Sequence, residues 1–204
     1  MPPSTEKPVV FLEGERIYLR PLEMADEKVM RRWYNDEPTR VYLESYWPIT
    51  ESFERKFIEG LGADQSRISL VVVTKKGHRL IGGVGVRFIR WKDRSAEFGI
   101  TIGEADARGQ GYGAEATLLI LRYCFRTLNL NRIQLGVWDF NEPAIRSYEK
   151  LGFTLEGRQR QHGFVDGRYV DQLIYGMLAS EFETLHGRAS ASAARRDGRR
   201  KVRT

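Results

Sequence analysis

The sequence predicts one domain of mixed α/β class, and three observations carry that expectation. The segment 95–103, "SAEFGITIG", alternates strictly between apolar and small or polar residues, the period of a strand with one sealed face. The segment 114–128, "AEATLLILRYCFRTL", carries Ala114, Leu118, Leu121, Phe125 and Leu128 as a helical stripe. Strand-like and helix-like segments are interleaved along the chain, which suits helices flanking a mixed sheet. A length of 204 residues supports one substantial core and would crowd two.

Element by element, "RIYLRPL" (16–22) reads as a short strand ended by Pro21, and Val29, Met30 and Trp33 mark a helix over 25–34. Thr50 is placed to cap a second helix, "ESFERKFIEG". "SLVVVTKK" and "RLIGGVGVRFIRW" read as two strands joined by a turn at Lys76 and Gly77. After the strand at 95–103 and the helix at 114–128 comes a strand at 132–138, "RIQLGVW". Asn141 then caps a short helix, "EPAIRSYEKL", with Pro143 in its first turn and Gly152 past its end. "FTLEGRQ" and "YVDQLIYGML" finish as two strands linked through the hairpin signal Asp166-Gly167.

A composition of 41% hydrophobic and 29% charged residues excludes a disordered or fibrous chain. No apolar run approaches the ~20 residues that cross a bilayer, and the first ten residues lack the pattern of a secretory signal. A single cysteine, Cys124, excludes an internal disulfide, and His78, His162 and His186 are too scattered to form a metal-ligand pattern, so no metal is expected. A reducing, cytoplasmic setting is the expectation. The net charge of +6 is not spread evenly. From Gly187 to Thr204 seven basic residues face one acid, Asp197, while the rest of the chain balances at 26 of each sign. The expected organisation is a flexible N-terminus (1–10), a folded body (11–185) and a disordered basic tail (186–204).

The loop "RGQGYGA" (108–114), leaving a strand and opening a helix, is the most informative stretch. Glycines let the backbone approach a ligand, and a helix start offers unpaired N–H groups and partial positive charge, so together they cradle a phosphate. Arg108 adds a cation whose fork matches a phosphate. Two other readings are a tight strand-to-helix turn without a ligand and a dinucleotide fold, since Gly109, Gly111 and Ala114 satisfy G-x-G-x-x-A. Against the dinucleotide fold, the loop lies halfway along the chain, too little chain follows it, and Asp139 comes thirty residues after Gly109 instead of ~20.

Arg108-x-x-Gly111-x-Gly113 resembles the acetyl-coenzyme A motif of the GNAT superfamily of N-acetyltransferases. "NEPAIRSYEKLGF" (141–153) is similar to that superfamily's next motif, in the correct order and separation. "RIYLRPL" and "WYNDEPTRVYL" (33–43) further resemble the branch of ribosomal-protein N-terminal acetyltransferases and spermidine N-acetyltransferases. The resemblance implies a mixed, mostly antiparallel twisted sheet flanked by helices and splayed between its fourth and fifth strands. It implies transfer of acetyl directly from acetyl-coenzyme A to a primary amine, of a protein N-terminus, a polyamine or another small amine, with no acyl-enzyme. Homodimers are common among such enzymes.

By the same resemblance the pyrophosphate would lie against the N–H groups of Gly109, Gln110, Gly111, Tyr112, Gly113 and Ala114, with Arg108 beside it. The pantetheine arm would run past Ile100 and Ile102 and be held by Asn141. Gly99 and Gly136 would keep the opening clear. Tyr148, two helical turns after Asn141, is the expected acid for the departing sulfur. Glu97, on the polar face of its strand, is the expected base for the amine, with Asp139 in reserve.

Between Trp33 and Gly60 the acids Asp36, Glu37, Glu44, Glu51, Glu54 and Glu59 outnumber Arg40, Arg55 and Lys56. With Trp33, Tyr34, Tyr42, Tyr46 and Trp47 they form either a rim for a cationic amine or a solvated helical face. Two alternative functions start elsewhere. The basic tail offers nonspecific contact to nucleic acid or a ribosome, unless it only solubilises the chain. The fold could also bind coenzyme without turnover, against which the intact Arg108, Gly111, Gly113, Asn141 and Tyr148 speak.

Overall fold

The computed structural model describes residues 8–187, so the basic tail expectation falls outside the described residues beyond Gly187. In chain order the elements are β1 (Leu12–Glu13), β2 (Ile17–Pro21), α1 (Glu27–Asn35), α2 (Glu37–Arg40), α3 (Glu51–Gly60), β3 (Ile68–Thr74), β4 (Leu80–Arg90) and β5 (Ser95–Ile102). They continue as α4 (Tyr112–Arg126), β6 (Arg132–Trp138), α5 (Glu142–Leu151), β7 (Thr154–Val165), β8 (Arg168–Leu178) and α6 (179–187). The strands form one eight-stranded sheet in the order β1-β2-β3-β4-β5-β6-β8-β7. Every neighbouring pair is antiparallel except β5 and β6.

The elements follow from local chemistry. The Thr50 hydroxyl accepts from the Phe53 N–H at 3.2 Å and starts α3, and Asn141 Oδ1 accepts from the Ala144 N–H at 3.4 Å to start α5. Asp166 and Gly167 both adopt positive φ, 48° and 75°, the conformation a two-residue hairpin between β7 and β8 requires. In β3 the run Val71, Val72, Val73 is buried throughout because both faces are covered: Val72 joins one core, Val71 and Val73 the other.

The larger core lies between the sheet and α4, α5 and α6, with Ile120, Leu121, Ile133, Met177 and Phe182 fully enclosed. Each such side chain contributes roughly 1.5–3 kcal/mol. The smaller core packs Met30 and Trp33 of α1 and Ile58 of α3 against Tyr18, Val71 and Val73 on the opposite face.

Three features go beyond the sequence expectations. The short β1 pairs with β2, so the predicted fourth and fifth strands are β5 and β6. β7 runs six residues past the expected end at Gln159, as an exposed outer strand whose polar side chains show no alternation. α6 takes in His186 and Gly187, which the sequence reading assigned to the tail; His186 Nε2 is 2.9 Å from the Leu151 carbonyl.

β5 and β6 run parallel but pair at only three positions, Ser95–Arg132, Ala96–Ile133 and Glu97–Gln134. Beyond these they separate, while β5 continues to Ile102 and the loop that starts α4. This opening positions the candidate site.

Candidate active site

The loop before α4 is shaped by its glycines. Gly109 has φ 71° and Gly111, the cap residue of α4, has φ 83° and ψ 0°, conformations that cost a side-chain-bearing residue. A Cβ at Gly109 would have no neighbour within 4 Å, so the loop is open there. Among the described residues, none of the six main-chain N–H groups from Gly109 to Ala114 donates to an acceptor within the protein. Six free donors at the positive end of a helix fit a phosphate group.

Arg108 does not stand free beside that loop. Its Nε donates to the Ile102 carbonyl at 2.9 Å, and its Nη2 donates to Thr39 Oγ1 at 2.7 Å and to the Gly103 carbonyl at 3.2 Å. It acts as a strut tying the loop to β5 and α2. The cation on the loop's flank is Arg16, which donates to the Gln110 carbonyl at 2.9 Å, pairs with Glu115 at 3.0 Å and lies 4.8 Å over the Tyr112 ring.

The start of α4 sits over β5. A Cβ at Gly113 would lie 3.7 Å from the Ile102 side chain and 3.9 Å from that of Ile100, ordinary contact distances, so the first turn of α4 stands directly above two partly buried isoleucines. Across the opening, Tyr148 on α5 meets Phe98 edge-on at 6.2 Å and Phe153 at 5.8 Å. Burial pushes the Tyr148 phenol up to about 12, so it is a neutral O–H donor at physiological pH. That hydroxyl has no hydrogen-bond partner among the described residues. Asn141 uses Oδ1 for its cap, leaving its amide N–H groups without an acceptor among the described residues.

The other face of the sheet carries carboxylates. The register sets Arg87 opposite Glu97, and Glu97 beside Gln134, so the three share the face that also presents Gly99 and Gly136. Arg87 Nε donates to Glu97 Oε1 at 2.7 Å, and Arg87 Nη2 donates to Glu44 Oε2 at 3.0 Å. Gln172 of β8 closes the row by donating to Glu44 Oε1 at 2.7 Å. A Cβ at Gly99 would meet nothing within 4 Å, whereas one at Gly136 would stand 2.7 Å from Gln172 Nε2. Gly99 therefore keeps the opening clear, and Gly136 makes room for the Gln172 amide. Asp139, the reserve base, is ion-paired to Arg158 at 2.9 Å.

The acidic, aromatic segment divides. Trp33 and Glu54 are buried, Glu51 pairs with Arg55, and Asp36 accepts from Thr39 Oγ1 at 2.8 Å. Tyr42, Tyr46 and Trp47 are exposed, and Tyr42 lies 5.9 Å from Phe140 at the end of β6. Arg87 and Gln172 are not signalled by the sequence, and Glu44 is signalled only as one of six acids between Trp33 and Gly60. Arg87 was within reach of the sequence, because folding strands 79–91 and 95–103 into a hairpin sets Arg87 against Glu97. Glu44 and Gln172 meet across 128 positions, and no local pattern signals that.

Free main-chain N–H groups at a helix start beside an opened strand pair, with a partly buried phenol on one side and carboxylates on the other, suit an enzyme that transfers a group from a phosphorylated donor. A family model for the GNAT acetyltransferase domain matches residues 16–154. The spermidine N(1)-acetyltransferase of Escherichia coli (strain K12) is 31% identical over 83% of this chain and 90% of its own length. The SPbeta prophage-derived uncharacterized N-acetyltransferase YokL of Bacillus subtilis (strain 168) is 29% identical over 88% of this chain and 99% of its own. The crystal structure of spermidine N-acetyltransferase from Vibrio cholerae in complex with CoA and spermine superposes with a TM-score of 0.78, at 29% identity, covering 82% of this chain and 98% of that one. The chain belongs to the GNAT acetyltransferase family and is an acetyl-coenzyme A-dependent N-acetyltransferase.

Proposed function

We propose that this enzyme acetylates a primary amine of a small polycationic acceptor, of the polyamine class. The observation that carries the reading is the placement of Glu97 and Glu44 on the sheet face opposite α4, around the open position at Gly99. Two carboxylates against one guanidinium leave this cluster net negative, which favours an acceptor with several ammonium groups. The relatives named as spermidine acetyltransferases support the same class.

Acetyl-coenzyme A, when bound, supplies an electrophilic thioester carbonyl. The six N–H groups of Gly109–Ala114 hold its pyrophosphate, Arg108 keeps that loop in shape from behind, and Ile100, Ile102 and Asn141 line the path of its arm. An alkyl ammonium with a pKa near ~10.4 must lose a proton before its nitrogen attacks, and Glu97 receives that proton directly or through water. Tyr148 donates its phenolic proton to the departing sulfur. Cys124 takes no part: it is fully buried on the core-facing side of α4, and burial pushes its thiol up to about 12, so no thiolate is available to form an acyl-enzyme.

Thiol release from acetyl-coenzyme A, followed with spermidine, spermine, N-terminal peptides and single amino acids, tests the acceptor class. The expected result is a kcat/KM for spermidine or spermine at least ~10-fold above every peptide and amino acid, about 1.4 kcal/mol of transition-state preference. A peptide or amino acid turned over faster than both polyamines would overturn it.

A further inference from the structure

We infer that Arg87 is a positioning residue: its guanidinium fixes the Glu97 carboxylate for proton acceptance and locks the Glu44 loop over the acceptor side. The inference rests on the role proposed for Glu97. Three observations support it.

The first is occupancy. Arg87 engages Glu97 through Oε1 alone, and Oε2 of Glu97 has no hydrogen-bond partner among the described residues. One oxygen is held and the other is left to accept a proton. The second is reach. The same guanidinium donates to Glu44, and Gln172 holds the other oxygen of Glu44. The segment between α2 and α3 is thereby tied to β4 and β8 at a single carboxylate.

The third is backbone geometry. Between the pairs Arg87–Glu97 and Arg90–Ser95, two residues of β4, Phe88 and Ile89, stand against Ala96 alone, a β-bulge. Phe88 adopts φ 51°, a left-handed conformation unfavourable for a bulky aromatic residue, and its ring is 60% exposed. Ile89 thereby takes the buried place in the core, and Arg87 stays in register with Glu97. Bulges of this kind recur beside active sites, where they aim a side chain. Stability alone does not account for the Arg87–Glu44 pair: the two side chains are 46% and 49% exposed, and ion pairs so exposed add little to stability.

The experiment is a double-mutant cycle on the full chain, with spermidine as acceptor and the melting temperature recorded for every variant. Arg87→Met is expected to lower kcat about 10- to 100-fold with the KM for acetyl-coenzyme A unchanged, the range of a misplaced proton acceptor. Arg87→Lys, which keeps the charge and one donor, should recover part of that loss. In a Glu97→Gln background Arg87→Met should cost no further kcat, because the group it positions is gone. Glu44→Gln should raise the KM for spermidine more than it lowers kcat. Equal, additive losses in the presence and absence of Glu97 would overturn the inference, as would a kcat/KM for spermidine that rises in Arg87→Met. Retention of full kcat by Glu97→Gln would instead remove the base assignment, a separate and recognisable failure.

Discussion

The indole of Trp33 lies against Gly103 so closely that a Cβ at that position would stand 2.0 Å from Trp33 Cδ2. The contact is locked from both ends. Trp33 Nε1 donates to Glu104 Oε1 at 2.9 Å, and the Gly103 carbonyl accepts from Arg108. Glu104 also pairs with Arg79 at 2.8 Å and with Arg32. The helix α1 is thus keyed to the residue that follows β5 and leads into the loop before α4.

Gly103→Ala should therefore act on both sides of the reaction. The added methyl must displace a buried ring, a cost of about 1–3 kcal/mol for overpacking, and the displacement pulls on the Arg108 strut. A lowered melting temperature together with a raised KM for acetyl-coenzyme A is expected. A variant with wild-type KM would show that α1 and the loop move independently.

Arg108 makes a sharper test, because a strut and a phosphate ligand differ in their response to salt. Arg108→Ala leaves the carbonyls of Ile102 and Gly103 without their donor, a loss of about 1–3 kcal/mol, and should raise the KM for acetyl-coenzyme A. With the phosphates held by main-chain N–H groups, as proposed, the slope of log KM against log salt should match wild type. A slope flatter in the variant would show that the guanidinium reaches the phosphates after all.

Glu54 ties stability to pH. Its side chain is 2% exposed between α1 and α3, and its Oε1 has no hydrogen-bond partner among the described residues. Burial, reinforced by the Glu27 carboxylate and opposed by Arg31, raises its pKa from 4.5 to about 7. The folded state thus binds more protons than the unfolded one between those values, so stability falls as pH rises through that window. The contribution is complete below 4.5 and lost above 7, on the order of 3 kcal/mol in all. In Glu54→Gln this dependence should vanish, and above pH 7 the variant should be the more stable protein. Denaturant unfolding at pH 5 and pH 8 measures it; a wild-type pH slope retained in the variant would contradict the assignment.

Much of this molecule is legible in its sequence where a local signal coincides with the global fold. The caps at Thr50 and Asn141, the Asp166-Gly167 turn and the alternation from Ala96 to Ile102 each report an element directly, and each lies where expected. What was hidden depends on partners far away in sequence. The β-bulge at Phe88 and Ile89 has no glycine to announce it, and it accompanies the burial of Ile89, whose core partners lie on other elements. Arg108 sits in a motif whose form suggests a phosphate ligand, yet its guanidinium finds carbonyls and Thr39, a residue 69 positions earlier. The acidic segment after Trp33 looked uniform in composition, and packing divides it into a buried carboxyl at Glu54, a clamp at Glu44 and a solvated remainder.

The most direct test of the catalytic assignment is kcat for Tyr148→Phe with spermidine and saturating acetyl-coenzyme A. The substitution removes one hydroxyl and keeps the ring against Phe98 and Phe153. Loss of the proton donor predicts a fall in kcat of about 10²-fold or more, with the KM for acetyl-coenzyme A and the melting temperature nearly unchanged. A variant that turns over at the wild-type rate would contradict the account.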